Sequence, residues 1–252
     1  MENKNPARSD GATPLYIVAE EGHFAICKLI LDNVDDKNPA CTDGETPLLV
    51  AAQEGHFEIC QLIVVNVEDK NPARNDGVTP LFMSAQNGHF EICMLIIENM
   101  EDKNSARNGE ATPLFLAARN GHFEICKLIV ENIEDKNPAC NDGETPLHVA
   151  AKYGHFKICR MILENLKEKN PFNEQGSTPL NKAGKNGRRL IIKHMESASK
   201  EEPLRKKKKI KKLKGYYHLH FLIFGTLQIV CLFVTKVTLT GVLPCSVSTR
   251  EH

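Results

Sequence analysis

Histidine and cysteine recur at regular intervals through most of this sequence, and both side chains can bind a metal ion or act in catalysis. The recurring histidines are His23, His56, His89, His122 and His155. Five of the nine cysteines also recur, at Cys27, Cys60, Cys93, Cys126 and Cys159. Two kinds of chemistry are therefore worth testing against the sequence: a zinc site and a Cys–His nucleophile.

Neither chemistry fits the spacing. Equivalent positions on stacked helices lie roughly 8–10 Å apart, whereas zinc holds each ligand atom at about 2.0–2.3 Å. The sequence contains no C-x-x-C, H-E-x-x-H, phosphate-binding G-x-x-x-x-G-K-[ST] or G-x-S-x-G motif. A nucleophile is one unusual residue, while these residues recur in unit after unit. We predict buried thiols and loop-to-helix histidines, with no metal, cofactor or catalytic residue.

The spacing itself is a repeat of 33 residues. The dipeptide Thr-Pro begins at Thr13, Thr46, Thr79, Thr112, Thr145 and Thr178. Gly-His-Phe follows nine residues later at Gly22, Gly55, Gly88, Gly121 and Gly154. A fixed period of this size is the signature of a stacked solenoid.

Each unit reads as two short helices and a polar connection. Thr46 can cap the first helix, "PLLVAAQE", with proline at the first helical position where no N–H is needed. Gly55 ends that helix. The second helix, "HFEICQLIV", has its apolar residues largely on one side, and "EDKNPA" with "DG" favours a turn. One such pair cannot bury its apolar face, whereas a stack can.

The unit "TPLHVAAKYGHFKICRMIL" at 145–163 resembles the ankyrin repeat, whose signature is T-P-L-H-x-A with this period. The resemblance covers roughly residues 3–198. It implies an all-α solenoid of six units, residues 1–198, with projecting β-hairpin loops. It also implies a non-catalytic scaffold or adaptor that binds a protein through its hairpin tips and concave groove.

Several positions depart from the family pattern. The expected histidine is present only at His148, and the other units have Tyr16, Leu49, Phe82, Phe115 and Asn181. This series either packs between units or forms an exposed apolar row. Asparagine precedes the position where glycine is usual, at Asn33, Asn66, Asn99, Asn132 and Asn165, so we predict a left-handed helix cap there. Gly109 is displaced, which predicts a distorted fourth hairpin. The first unit has no polar cap, which leaves open that the stack is part of a longer array.

The resemblance places partner contacts at the exposed end of each first helix, where the residues differ between units. These candidate partner-binding residues are Glu20, Glu21, Gln53, Glu54, Gln86, Asn87, Arg119, Asn120, Lys152, Tyr153, Lys185 and Asn186. They change from acidic to basic along the stack, and such a field can orient a partner. The alternative is that six variable pairs sort in this order by chance.

The remainder of the chain changes composition abruptly. Residues 1–204 carry 22 basic and 31 acidic residues, whereas 205–214 carry eight basic residues and no acid. A basic linker, 199–215, leads into 20 uncharged residues at 216–235, and a short tail, 236–252, follows. The uncharged run is long enough for a membrane helix, which would place the repeats on the cytoplasmic face of a membrane. The alternatives are a nuclear signal at 205–214 on a cytoplasmic or nuclear protein, and an extension without function.

Overall fold

The structure, a computed structural model, describes residues 6–100, 111–166, 169–185 and 188–197. These residues are all-helical and contain no β-strand. The helices are α1 (Pro14–Glu20), α2 (Phe24–Leu31), α3 (Pro47–Glu54), α4 (Phe57–Val64), α5 (Pro80–Asn87), α6 (Phe90–Asn99), α7 (Pro113–Asn120), α8 (Phe123–Asn132), α9 (Pro146–Tyr153), α10 (Phe156–Asn165) and α11 (Pro179–Lys185). A further helical segment spans 189–197.

Each described first helix begins as the sequence predicts, and α3, α5, α7 and α9 also end at the predicted glycine. The Thr46 hydroxyl accepts a hydrogen bond from the Leu49 N–H at 3.2 Å, and Pro47 opens α3. Gly55 ends α3 in the left-handed region, with φ of 88°, a conformation that glycine adopts without steric penalty. The same hydroxyl cap occurs at Thr13, Thr79, Thr112 and Thr178.

The helices form stacked pairs around one core. Each first helix packs on the first helices of its neighbours, and each second helix packs in the same way from α2 to α10. Ala51 and Ala52 are fully buried between these layers, because a small side chain allows close helix contact. One cluster of buried residues runs from Leu15 to Met195. The recurring cysteines belong to this cluster.

The connections are tight turns, and the predicted β-hairpins are wrong in that no strand forms among the described residues. In one turn the Cys41 N–H donates to the Glu45 carbonyl at 2.8 Å, and the Gly44 N–H donates to the Cys41 carbonyl at 2.9 Å. Neighbouring turns are joined by the Asn75 N–H, which donates to the Asp43 carbonyl at 3.0 Å. These backbone hydrogen bonds extend over too few residues to form a β-ladder. The fourth turn, with Gly109, lies outside the described residues.

The predicted left-handed cap at the recurring asparagines is also wrong. No described residue other than glycine has a positive φ. The Asn66 side-chain amide instead donates to the Leu62 carbonyl at 2.8 Å, and the Lys70 ammonium donates to the carbonyls of Val64 and Val67. The side chains satisfy carbonyls at the helix end that lack backbone partners, so no reversal of the backbone is needed. The same asparagine bond occurs at Asn33, Asn99, Asn132 and Asn165.

The basic linker at 199–215, the uncharged run at 216–235 and the tail at 236–252 lie outside the described residues. Within the described ranges, no helix has both the length and the apolar character that crossing a bilayer requires.

Candidate partner-binding face

The candidate face is formed by the C-terminal ends of the first helices, and its main chain is tied from unit to unit by histidines. The Nε2 of His56 donates to the Glu20 carbonyl at 2.9 Å. Equivalent bonds join His89 to Gln53, His122 to Gln86 and His155 to Arg119, at 3.0–3.1 Å. The donors lie 36 residues after the acceptors, so each histidine locks the helix end of the preceding unit. We call this series the histidine ladder.

Most of the candidate side chains point outward from this ladder. Those exposed to solvent are Glu20, Glu21, Glu54, Asn87, Arg119, Asn120 and Tyr153, and those half-buried are Gln53, Gln86 and Lys152. The side chain of Lys185 and all of Asn186 lie outside the described residues. The described candidates therefore occupy one face, and their charges change along it from Glu20 and Glu21 to Arg119 and Lys152.

Two candidates also hold the stack together, a role that the sequence analysis missed. The side-chain amide of Asn87 donates to the Gln53 carbonyl at 2.8 Å, and that of Asn120 donates to the Gln86 carbonyl at 2.7 Å. Each of these carbonyls thus accepts both a histidine and an asparagine. The signal in the sequence is an asparagine directly before Gly-His.

The basic end of the face contains an aromatic side chain between two cations. The Tyr153 ring is 41% exposed. The Lys152 ammonium lies 5.3 Å from the ring centroid, and the Arg119 guanidinium carbon lies 6.0 Å from it. Cations at this distance are attracted to the ring face. Tyr153 is a large side chain held in place yet open to solvent, as binding hot spots often are.

One residue follows the leucine of each first helix, and it packs between units where it is apolar. This series is Tyr16, Leu49, Phe82, Phe115, His148 and Asn181. Leu49 and Phe82 are buried with Val78 and Leu116, so the exposed-row interpretation is wrong for these residues. Two polar members, Tyr16 and His148, form bonds between units instead. The Tyr16 hydroxyl donates to Glu45 Oε2 at 2.7 Å, and burial followed by this contact raises the tyrosine pKa.

His148 is fully buried and joins two units. Its Nε2 donates to the Ser177 carbonyl at 3.1 Å, while Nδ1 accepts the N–H of Thr145 at 3.2 Å. Burial lowers the pKa of this imidazole. The ring is therefore neutral at pH 7, with its proton on Nε2.

The turn tips carry an ion-pair network that the sequence analysis did not find. The Arg74 guanidinium lies 3.2 Å from Glu45 Oε1 and 2.7 Å from Asp76 Oδ2. Because Glu45 also accepts the Tyr16 hydroxyl, this network spans three successive units. Tyr16, Glu45 and Arg74 follow one another at intervals of 29 residues, so no single unit displays the pattern.

The core thiols are protonated. Burial raises the pKa of Cys93 and Cys159 to about 12 and that of Cys27 to about 11. A thiolate is the nucleophilic form of cysteine, so these groups are poor nucleophiles at neutral pH. Within the described ranges, no three His, Cys, Asp or Glu residues are grouped so that they could hold a metal ion.

A family model described as "Ankyrin repeats (3 copies)" matches residues 1–72, 65–140 and 132–202. No curated protein matches the sequence. The family matches cover the capped first helices, the glycine ends and the second helices described above. The chain therefore belongs to the ankyrin repeat family.

Proposed function

We propose that this protein is a non-catalytic scaffold or adaptor that binds a protein partner through its turn tips and the concave groove beside them. Ankyrin repeats are in general protein–protein interaction modules. The observation that carries the proposal is the combination of a fixed main chain with variable side chains. The histidine ladder holds the ends of α1, α3, α5 and α7, while the exposed groups differ from unit to unit. We further infer six units, the sixth being α11 with the segment 189–197.

The charge along the face gives the partner an orientation. Glu20, Glu21 and Glu54 are exposed at one end, and Arg119 lies at the other with Tyr153 beside it. A partner that carries basic groups at one end and acidic groups at the other is attracted in one orientation only, with its basic end toward the first unit and its acidic end toward the fifth. Electrostatic complementarity of this kind raises the association rate and selects the register. Tyr153 supplies the apolar contact that surface charge alone lacks.

The structural role of the recurring cysteines and histidines supports the non-catalytic part of the proposal. The core cysteines are buried and their pKa values are raised, and His148 uses both ring nitrogens within the fold. Four of the five recurring histidines, His56, His89, His122 and His155, are used in the ladder. Within the described residues, these buried thiols and these imidazoles are therefore committed to holding the stack together.

Charge reversal with a matched control tests this proposal. Glu20→Lys, Glu21→Lys and Glu54→Lys reverse the acidic end, while Glu58→Lys, Glu91→Lys and Glu124→Lys reverse three exposed acids on the second helices. Proteins close to the full chain in cells are labelled by a fused proximity enzyme and quantified. We expect the first triple variant to lose partners that the control triple variant retains. Equal loss or equal retention contradicts binding through this face.

We also propose that 216–235 anchors the repeats to the cytoplasmic face of a membrane. The support is its length and composition, with the basic run at 205–214 on the side where positive charge is retained. The full chain and a form ending at Ser199 are compared by alkaline carbonate extraction of cell membranes. Retention of the full chain alone supports the anchor. Release of both contradicts it and leaves nuclear import, read by imaging, or an extension without function.

A further inference from the structure

Cationic side chains collect at one end of the partner-binding face, around an exposed aromatic ring. The Arg119 guanidinium carbon lies 6.0 Å from the centroid of the Tyr153 ring, and the Lys152 ammonium lies 5.3 Å from it. These residues stand at the C-terminal ends of α7 and α9, which pack against each other. The ring and the two charges therefore form one continuous surface across two neighbouring units.

A third cation, Arg188, extends this surface to the next unit. Arg188 occupies the sequence position that the recurring histidines hold in the earlier units. A Cβ on Gly154 would lie 2.9 Å from its Nε atom, just as a Cβ on Gly121 would lie 2.5 Å from Cε1 of His155. The exposed guanidinium thus lies over the backbone directly after Tyr153. An imidazole that joins earlier units is replaced here by a permanently charged group.

The two arginines of this surface are not neutralised within the fold. In the described part of the chain, neither Arg119 nor Arg188 has a carboxylate within ion-pair distance. Arg160 on the second helix α10, by contrast, lies 3.6 Å from Glu164. The sequence also places no acidic residue at the ends of the first helices here, at 119–120, 152–153 and 185–186. A partner with negative charge therefore complements this end of the face.

The spacing of the cations selects the shape of such a partner. Helices packed side by side have axes about 8–10 Å apart, so cations on successive units are separated by about this distance. A polyproline II segment has three residues per turn and rises about 3.1 Å per residue, which places side chains i, i+3 and i+6 along one edge at intervals of about 9 Å. In a β-strand, residues i and i+3 point to opposite faces. The cations thus match a polyproline II segment with an acid at every third residue.

The Tyr153 ring fits the same ligand. The ring is 41% exposed and lies between the charges of Arg119 and Lys152. Polyproline II segments dock on aromatic rings and lose little conformational entropy on binding, because their shape is formed in advance. A proline between two acids can pack on the ring while the acids pair with the cations on either side.

We propose that Arg119, Lys152, Tyr153 and Arg188 bind an acidic polyproline II segment of a protein partner, with a carboxylate at every third residue and proline between them. We call these four residues the basic aromatic site. The inference rests on the proposed function and specifies the chemistry of the partner at one end of the face. It also assigns a binding role to Arg188, which the sequence analysis did not include.

Two fluorescent peptides of identical composition test this proposal. The spaced peptide has three glutamates separated by pairs of prolines, and the clustered peptide has the three glutamates side by side with the prolines around them. Their net charges are equal, so the basic run at 205–214 attracts both alike. Fluorescence anisotropy with the full chain in mild non-ionic detergent measures both dissociation constants. We expect the spaced peptide to bind at least about tenfold more tightly, because each exposed charge pair contributes up to about fivefold.

Substitutions then assign the binding to the basic aromatic site. Arg119→Gln and Arg188→Gln should each weaken binding of the spaced peptide about threefold to fivefold, and Tyr153→Ala should weaken it about tenfold or more. Tyr153→Phe keeps the ring and should keep the affinity. Lys127→Gln and Lys157→Gln are the matched controls, because they remove exposed cations from the second helices α8 and α10, and both should bind as the unmodified chain does. Circular dichroism checks that each variant remains helical.

Equal affinity for the two peptides overturns the proposal, and so does unchanged binding of the spaced peptide to both arginine variants. A photo-cross-linking residue gives a second readout. Benzoylphenylalanine at Tyr153 should cross-link to the spaced peptide, whereas the same residue at Lys157 should not, and equal cross-linking from both positions contradicts the site. The reversal of the acidic end described above tests the face with cellular partners. Partner loss in that experiment together with failure here would leave the proposed function intact and remove only the acidic polyproline II ligand.

Discussion

The imidazole of His89 lies over the backbone of Gly55 and donates to the Gln53 carbonyl at 3.0 Å. A Cβ placed on Gly55 would lie 2.5 Å from the Cε1 atom of this ring. Glycine is therefore required at position 55 for two reasons: the backbone has a positive φ, and the imidazole of the next unit occupies the space that a Cβ would fill. This relationship recurs between Gly22 and His56, Gly88 and His122, and Gly121 and His155.

Replacing Gly55 with alanine is expected to lower the stability of the stack. The left-handed conformation costs a residue with a Cβ roughly 1–2 kcal/mol, and the contact with His89 adds to this. The melting temperature, followed by circular dichroism, should fall by several degrees. Gly184→Ala is the control, because Gly184 lies in α11 with no atom near its added Cβ. Alanine there should raise the stability, by up to about 1 kcal/mol, and an equal fall in both variants would contradict the ladder.

Lys70→Met is expected to destabilise the end of α4. The ammonium donates to the carbonyl of Val64, at the end of α4, and to that of Val67 beyond it, and methionine keeps the apolar stem but removes the donors. Hydrogen bonds from charged groups contribute about 1.5–3 kcal/mol, and partial exposure reduces this to about 1 kcal/mol. Urea unfolding of the two proteins measures the difference. Lys157→Met removes an exposed ammonium at the start of α10 and should leave the midpoint almost unchanged. Equal midpoints for Lys70→Met and the unmodified chain would show that this cap contributes nothing.

Stability should decline on acidification in a way that depends on His148. Its folded pKa lies below the unfolded value of about 6.5. The unfolded chain therefore binds more protons as the pH falls below 6.5, and stability is lost through the window down to the folded pKa. His148→Leu, which installs the residue found at Leu49, should give a shallower decline between pH 7 and pH 5. Urea midpoints across this range measure both slopes, and parallel slopes would contradict the assignment.

The core thiols should resist alkylation in the folded protein. With pKa values near 12, the thiolate fraction of Cys93 and Cys159 at pH 7.5 is far below one per cent. Iodoacetamide labelling followed by peptide mass spectrometry should find these residues unmodified, and Cys41, at a partly exposed turn, modified first among the seven described cysteines. The same reaction in urea should label all of them. Rapid labelling of Cys93 without denaturant would contradict the packing described here.

Local signals in the sequence predict much of this fold. Thr-Pro sets the start of each first helix and Gly55 its end, because both act through a few neighbouring backbone groups. The asparagine at the end of the second helix was misread because two mechanisms satisfy the same carbonyls. In the structure the Asn66 amide donates to the Leu62 carbonyl, and the Lys70 ammonium, four residues on, donates to those of Val64 and Val67. The Tyr16–Glu45–Arg74 network and the amides of Asn87 and Asn120 were missed because their partners lie in the neighbouring unit. Such contacts become visible only when equivalent positions in successive units are placed side by side.

The histidine ladder also bears on how the length of this stack can change. Every bond of the ladder joins residues 36 positions apart, and the unit that carries it is 33 residues long. Removal or duplication of any one of the first four units therefore brings a histidine over a glycine again at the new junction, whereas the fifth unit's Gly154 already faces Arg188. A gene that gains or loses 33 codons here changes which side chains are displayed, and it needs no new kind of contact between adjacent units. The number of units is thus open to unequal recombination, while the fit between adjacent units is preserved.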